Sequence, residues 1–187
     1  MKQQPATIKL FLVNGDPNSL RTAEISNWNG KAIACPRKEL PGLLNRDEIN
    51  SPGIYILIGV DPEAEKYAVY IGEAESLTKR IKGHSERDFW NNIIVFFSKD
   101  ENLTKAHVKY LEGKLIDQAF QANRAIIKNS QASGAKLPEA DVADMDVYFD
   151  KIIQLLPILG SNHFSESERI KASPKDILYR KIKGLVA

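Results

Sequence analysis

Apolar and polar residues alternate most clearly in the middle of the chain, in two short segments, 53–60 and 67–72, that a polar turn separates. Two such segments, rich in β-branched and aromatic residues, predict a β-hairpin. Because a strand points alternate side chains to opposite faces, the isoleucines of the first strand share one face and Tyr55 points to the other. If Tyr55 pairs with Tyr70 or Gly72, both tyrosines lie on the same side of the sheet.

The remaining apolar pattern predicts strands before and after the hairpin and helices between them. Strands are expected at residues 7–13, 21–25, 31–35 and 93–97. Apolar positions three and four apart predict helices at residues 36–45, 76–84, 103–128 and 139–156. The expected fold class is α+β, with a small, mostly antiparallel sheet flanked by helices.

The same pattern divides the chain into three parts. Residues 1–50 form an N-terminal β-rich cap, and residues 51–130 form the core with the hairpin. Residues 131–187 contain a C-terminal helix and a basic tail.

The amino-acid composition is typical of a globular protein and does not by itself indicate a function. The 187 residues are 43% hydrophobic and 27% charged, as in ordinary globular proteins, and the net charge of +2 permits nucleic-acid binding without requiring it. The single cysteine, Cys35, excludes an intrachain disulfide and a cysteine-based zinc site, and its apolar neighbours predict a buried, unreactive thiol. No apolar stretch has the length of a membrane span and no signal peptide is evident, so we expect a cytoplasmic protein without membrane contacts.

Two tripeptides in the hairpin begin an ordered series of polar residues. Gly53-Ile54-Tyr55 and Tyr70-Ile71-Gly72 are followed by Arg80, eight residues after Gly72, then by His84, and later by Glu112 on the predicted 103–128 helix. This series resembles the GIY-YIG nuclease superfamily, over about residues 50 to 130. The resemblance implies a metal-dependent endonuclease that cuts DNA and leaves a 3′-hydroxyl and a 5′-phosphate.

The resemblance also implies a role for each of these side chains. Tyr55 would be the general base for the attacking water, and Tyr70 would hydrogen-bond the phosphate or the nucleophile. A free tyrosine, with a pKa of about 10, is a poor base near neutral pH, so Tyr55 needs a nearby cation. Arg80 would clamp the phosphate, His84 would orient groups or relay a proton, and Glu112 would hold Mg²⁺ or Mn²⁺.

An asparagine after the glutamate helix completes the pattern of the superfamily. Asn129, at the end of the predicted helix, is the first candidate for this position, and Asn123, within the helix, is the second. The spacing leaves the choice open.

Two alternatives compete with these interpretations. On helix geometry alone, Glu112 fits a surface glutamate paired with Lys109 or Lys114, and only the upstream tyrosine, arginine and histidine favour the metal site. The whole protein is alternatively a nucleic-acid-binding or scaffold module that keeps the nuclease core without significant turnover. The small net charge and the lack of a helix-turn-helix or zinc-finger signature favour that reading. RNA stays open as a substrate beside DNA, and the oligomeric state is open as well.

Overall fold

The computed structural model describes residues 4–83, 88–130 and 134–165, which form one seven-stranded sheet with helices on both faces. The strands are β1 (Ile8–Leu12), β2 (Arg21–Ile25), β3 (Gly30–Pro36), β4 (Gly53–Asp61), β5 (Lys66–Ala74), β6 (Trp90–Ser98) and β7 (Ile126–Ile127). The helices are α1 (Leu40–Leu44), α2 (Leu77–Lys82), α3 (Lys105–Ala122) and α4 (Glu139–Leu155). The α+β class is confirmed.

The sheet is larger than the small one expected, because the N-terminal strands join it. The strand order is β1-β2-β3-β6-β4-β5-β7, and every neighbouring pair is antiparallel except β5 and β7. Strand β3 pairs with β6 along its whole length, with Ala32 opposite Phe96. The N-terminal β-rich segment is therefore continuous with the sheet that contains the hairpin.

The alternation along β4 sorts its side chains onto two faces, as the sequence predicts. Ile54 and Ile56 belong to the core that α3 and α4 cover, which we call the α3 face. Tyr55 and Leu57 belong to the opposite core, against α2, which we call the α2 face. Both faces of β4 are inaccessible to solvent at these positions, since all four residues have 0% exposure.

The predicted 103–128 helix is wrong over its last six residues, and it begins at Lys105 rather than at residue 103. Helix α3 ends at Ala122 because Asn123 adopts the left-handed conformation, with φ of 49°, and asparagine tolerates that conformation better than most residues. The chain then turns back, and Ile126 and Ile127 pair in parallel with the start of β5. Their apolar character serves the sheet rather than the helix.

The other helices differ from the predictions mainly at their ends. The 36–45 segment contains a 3₁₀ turn at Arg37–Glu39 and the short α1. Helix α2 begins after Ser76, as predicted, and Gly83 follows its last residue. Helix α4 ends at Leu155, one residue earlier than predicted.

The side chain of Cys35 lies in the core of the α2 face. Cys35 is 1% exposed, and burial, together with the nearby Glu39 carboxylate, raises the pKa of its thiol to about 12. The expected buried thiol is confirmed.

Among the described residues, no helix combines the length and the apolar character needed to span a bilayer.

Candidate functional site

The hairpin register places Tyr55 directly opposite Gly72 on the α2 face of the sheet. This is one of the two registers that the sequence allowed, and Tyr70 pairs with Leu57 two positions away. The two tyrosine rings consequently lie side by side, with centroids 6.1 Å apart and planes tilted by 33°. The prediction that both tyrosines share a face is confirmed.

Arg80 joins this pair from the last turn of α2. Its Nε donates a hydrogen bond of 3.3 Å to the Tyr55 hydroxyl, and the side chain itself is exposed. Hydrogen bonds to Tyr55 first, and also to Tyr70, raise the pKa of Arg80. Tyr55, Tyr70 and Arg80 thus form one contiguous group, which we call the tyrosine–arginine cluster.

Burial controls the protonation of Tyr55. Its side chain has 0% exposure, and desolvation raises the pKa of its hydroxyl well above 10. The neighbouring Tyr70 raises this pKa further, whereas the guanidinium of Arg80 lowers it. In the absence of a ligand, Tyr55 is therefore a neutral phenol at physiological pH.

The glycines of the two tripeptides are required by close packing. A Cβ on Gly72 would lie 2.3 Å from Cζ and Oη of Tyr55, because the ring lies across the glycine. A Cβ on Gly53 would lie 2.4 Å from the carbonyl oxygen of Phe96 on β6. The motif glycines thus fix the position of Tyr55 and of the strand that carries it.

Glu112 is half-buried on α3, the helix that covers the other face of the sheet. Val108 and Leu111, its neighbours on the helix, are fully buried in the core of the α3 face, and α3 contacts β4 and β5. Lys114, one of the lysines expected as a surface partner, instead forms an ion pair of 2.7 Å with Asp146 of α4. The contacts described above unite Tyr55, Tyr70 and Arg80 on the α2 face, whereas Glu112 lies on the helix that packs against the α3 face.

The two candidate asparagines have different surroundings. Oδ1 of Asn129 accepts a hydrogen bond from the backbone N–H of Ile71 (3.1 Å), and its Nδ2 donates to the Ile71 carbonyl (2.7 Å). Its amide thereby extends the β5–β7 pairing to the middle residue of Tyr70-Ile71-Gly72. Asn123 is instead the residue that ends α3. Of the two asparagines, Asn129 is the one that contacts the motif. Its amide bonds both the N–H and the carbonyl of Ile71, an arrangement that we call the backbone clamp.

We expect Asn129→Ala to destabilise the protein by about 1–2 kcal/mol, because it removes two hydrogen bonds to a partly buried edge. Asn123→Gly is the matched control, since glycine adopts the left-handed conformation without strain and should leave stability within about 0.5 kcal/mol. Urea unfolding of both variants measures the difference. Equal stability of Asn129→Ala and wild type would contradict the clamp.

A cavity of about 820 Å³ lies next to the cluster and contains residues that the sequence analysis missed. It is lined by Asn50, Glu73, Ala74, Glu75, Ser76, Lys79, Arg80 and Lys105. Arg80 belongs both to this cavity and to the tyrosine–arginine cluster. The available signal was the run of charged residues that follows Gly72, together with Lys105 at the start of the glutamate helix.

Two other predicted features lie outside the described residues: His84, and the basic tail from residue 166 onward. Within the described residues, no three histidine, cysteine, aspartate or glutamate side chains are grouped as a metal cluster. Mg²⁺ commonly uses only one or two protein carboxylates and keeps several waters, so Glu112 alone is compatible with this ion.

Comparisons of the chain with protein-family models, curated proteins and solved structures give no match. The resemblance to GIY-YIG nucleases consequently rests on the motif residues.

Proposed function

We propose that this protein is a GIY-YIG-type endonuclease that hydrolyses phosphodiester bonds in DNA with the help of a divalent metal. The observation that supports the proposal most directly is the tyrosine–arginine cluster. Tyr55 and Arg80 are 25 residues apart in sequence, yet Arg80 donates a hydrogen bond of 3.3 Å to Tyr55 on the face that Tyr70 shares. Such a group supplies what phosphodiester hydrolysis needs from side chains: a cation for the phosphate and hydroxyls near it.

Each member of the cluster has a distinct task in the proposed reaction. Arg80, which is exposed, binds the non-bridging oxygens of the scissile phosphate. Tyr55, as the phenolate, takes a proton from the attacking water, whose oxygen bonds to phosphorus as the bond between phosphorus and the 3′-oxygen breaks. The leaving 3′-oxygen takes a proton from solvent and becomes the 3′-hydroxyl. Tyr70 donates a hydrogen bond to the phosphate or orients the water. Asn129 holds the strand of Tyr70 in register through the backbone of Ile71.

The carboxylate of Glu112 would hold Mg²⁺ or Mn²⁺ in this proposal. When bound, such an ion stabilises negative charge on the phosphoryl and leaving oxygens. Glu112 then has to act near the tyrosine–arginine cluster from the α3 side of β5.

One observation favours the alternative of a nucleic-acid-binding module without significant turnover. Tyr55 has 0% exposure and a raised pKa, and both properties oppose its use as a base. An exposed Arg80 beside a cavity, by contrast, can contact a phosphate without any base nearby. The two functions therefore differ in whether the cluster reacts with the nucleic acid or only holds it.

A plasmid-nicking assay tests the proposal. Wild type should nick supercoiled DNA with Mg²⁺ or Mn²⁺ but not with EDTA. Glu112→Ala should lower the nicking rate by at least about 10²-fold while DNA retention in a filter-binding assay persists, because the carboxylate serves the metal and not the phosphate backbone. Asp117→Ala is the matched control, since Asp117 is an exposed carboxylate of the same helix. It should retain wild-type nicking.

The remaining outcomes identify the alternatives. No nicking with any metal, but salt-sensitive DNA retention by wild type and Glu112→Ala alike, would make the binding module the better account. Nicking that is equal in wild type and Glu112→Ala would exclude Glu112 from the reaction.

A further inference from the structure

The cavity of about 820 Å³ beside Arg80 collects cations from two separate helices. Lys79 and Arg80 enter it from α2, and Lys105 enters it from the first position of α3. Because α2 and α3 pack on opposite faces of the sheet, these cations reach the cavity at the end of β5 from two different sides. A volume of this size lies within the range of about 300–1,000 Å³ that is typical of ligand sites.

Two carboxylates at the end of β5 offset part of this positive charge. Glu75 accepts an ion pair of 3.0 Å from Lys105, and the hydrogen bond of this pair raises the pKa of Lys105. Glu73 also lines the cavity and adds to the same shift. Three cations against two carboxylates leave the cavity positive.

The ion pair between Lys105 and Glu75 is easily exchanged. The two side chains are 63% and 64% exposed, and an ion pair that is this open to water contributes at most about 1 kcal/mol. A phosphate oxygen is therefore a competitive partner for the ammonium group. Lys105 needs only a change of rotamer to leave Glu75, since it lies at the first, solvent-exposed turn of α3.

We infer that this cavity binds the phosphate backbone of DNA beside the bond that is cut, with Lys79 and Lys105 each neutralising one phosphate. Lys105 exchanges Glu75 for a phosphate when DNA binds, and Glu75 thereby weakens binding. This inference rests on the proposed function for the position of the scissile phosphate at Arg80. It adds the path of the substrate and a carboxylate that opposes binding.

The salt dependence of binding tests both parts of the inference. Affinity for a fluorescent DNA duplex is measured by anisotropy in EDTA, so that no cleavage occurs, at several salt concentrations. Lys79→Ala and Lys105→Ala should each weaken binding severalfold and reduce the slope of log K against log salt by about 0.9, the value for one lost phosphate contact. Glu75→Gln should tighten binding severalfold, because it releases Lys105.

Lys66→Ala is the matched control. Lys66 is an exposed lysine at the opposite end of the same strand and does not line the cavity. Its removal should leave the slope unchanged. Circular dichroism of each variant checks that the fold is retained.

Each outcome separates this inference from the proposed nuclease. If wild type nicks DNA but Lys79→Ala and Lys105→Ala keep the wild-type slope, the cavity is not the path and the inference is wrong, while the nuclease stands. If the slopes fall as expected but no metal supports nicking, the inference stands and the nuclease is wrong. Weaker binding by Glu75→Gln would overturn the exchange, and the absence of salt-sensitive DNA binding by wild type would overturn the whole inference.

Discussion

Tyr55→Phe should lower the rate of DNA nicking by about 10²- to 10⁴-fold, the range that general acid–base groups contribute. The substitution removes only the hydroxyl that accepts the hydrogen bond from Arg80 Nε at 3.3 Å. The ring, with 0% exposure, keeps its packing against Gly72, so the fold should persist. Single-turnover nicking kinetics at saturating protein measure the effect, and a thermal melt verifies the fold.

The pH dependence of nicking by the wild-type protein gives the same prediction a second readout. Burial raises the pKa of Tyr55 above 10, so the phenolate is a minor species throughout the neutral range. Below its pKa, the phenolate fraction increases tenfold for each pH unit. The logarithm of the nicking rate should therefore rise with a slope close to one between about pH 6 and 9, and Tyr55→Phe should abolish this rise.

Two other tyrosines of β5 serve as controls. Tyr70→Phe should slow nicking but keep the pH slope, because in the proposed reaction Tyr70 donates a hydrogen bond and does not take the proton. Tyr67, which is 60% exposed near the start of the same strand, should tolerate phenylalanine without any change. If Tyr55→Phe retains the wild-type slope, another group is the base and Tyr55 has only a positioning role.

The cluster was accessible from the sequence because its geometry is local. Strand periodicity alone puts Tyr55 and Tyr70 on one face, and the short connection from Gly72 to α2 brings Arg80 to them. The role of the motif glycines was harder to predict from the sequence. Their role depends on which atoms approach them, and the contact between Gly53 and the Phe96 carbonyl joins strands that are far apart in sequence.

The number of strands in the sheet could not be predicted from the sequence, again because it depends on contacts between distant residues. The pairing of β3 with β6, with Ala32 opposite Phe96, connects residues 64 positions apart, and no local pattern encodes such a register. The end of α3 depended on a single residue. Ile126 continues the helical periodicity, but the left-handed Asn123 stops the helix before it. The position of Glu112 relative to the cluster likewise depends on how α3 packs across the sheet.

Gly72→Ala should impair both activity and stability, since the new Cβ would lie 2.3 Å from Cζ and Oη of Tyr55. No real Cβ contact is this short, so the ring has to move and its hydroxyl has to leave Arg80. We expect a loss of nicking at least as large as that of Tyr55→Phe. Overpacking of a core typically destabilises a protein by about 1–3 kcal/mol, which is expected to appear in urea unfolding.

Gly42→Ala is the matched control for this substitution. Gly42 lies in α1, and a Cβ there would meet no closer atom than Cδ1 of Leu20, at 4.0 Å. Alanine is favoured over glycine in helices by up to about 1 kcal/mol, so this variant should be as stable as wild type or more so. Its nicking rate should be unchanged.

A double variant identifies the cause of the damage. Tyr55→Leu removes Cζ and Oη, the atoms that the new methyl group meets, although it also removes the proposed base. Gly72→Ala should therefore destabilise the Tyr55→Leu protein much less than it destabilises wild type, and the coupling energy should reach about 1 kcal/mol or more. Equal destabilisation in both backgrounds would show that Gly72 is needed for a reason other than the ring of Tyr55. It would then follow that the register of β4 and β5, and not the packing of this ring, fixes the position of the tyrosine–arginine cluster.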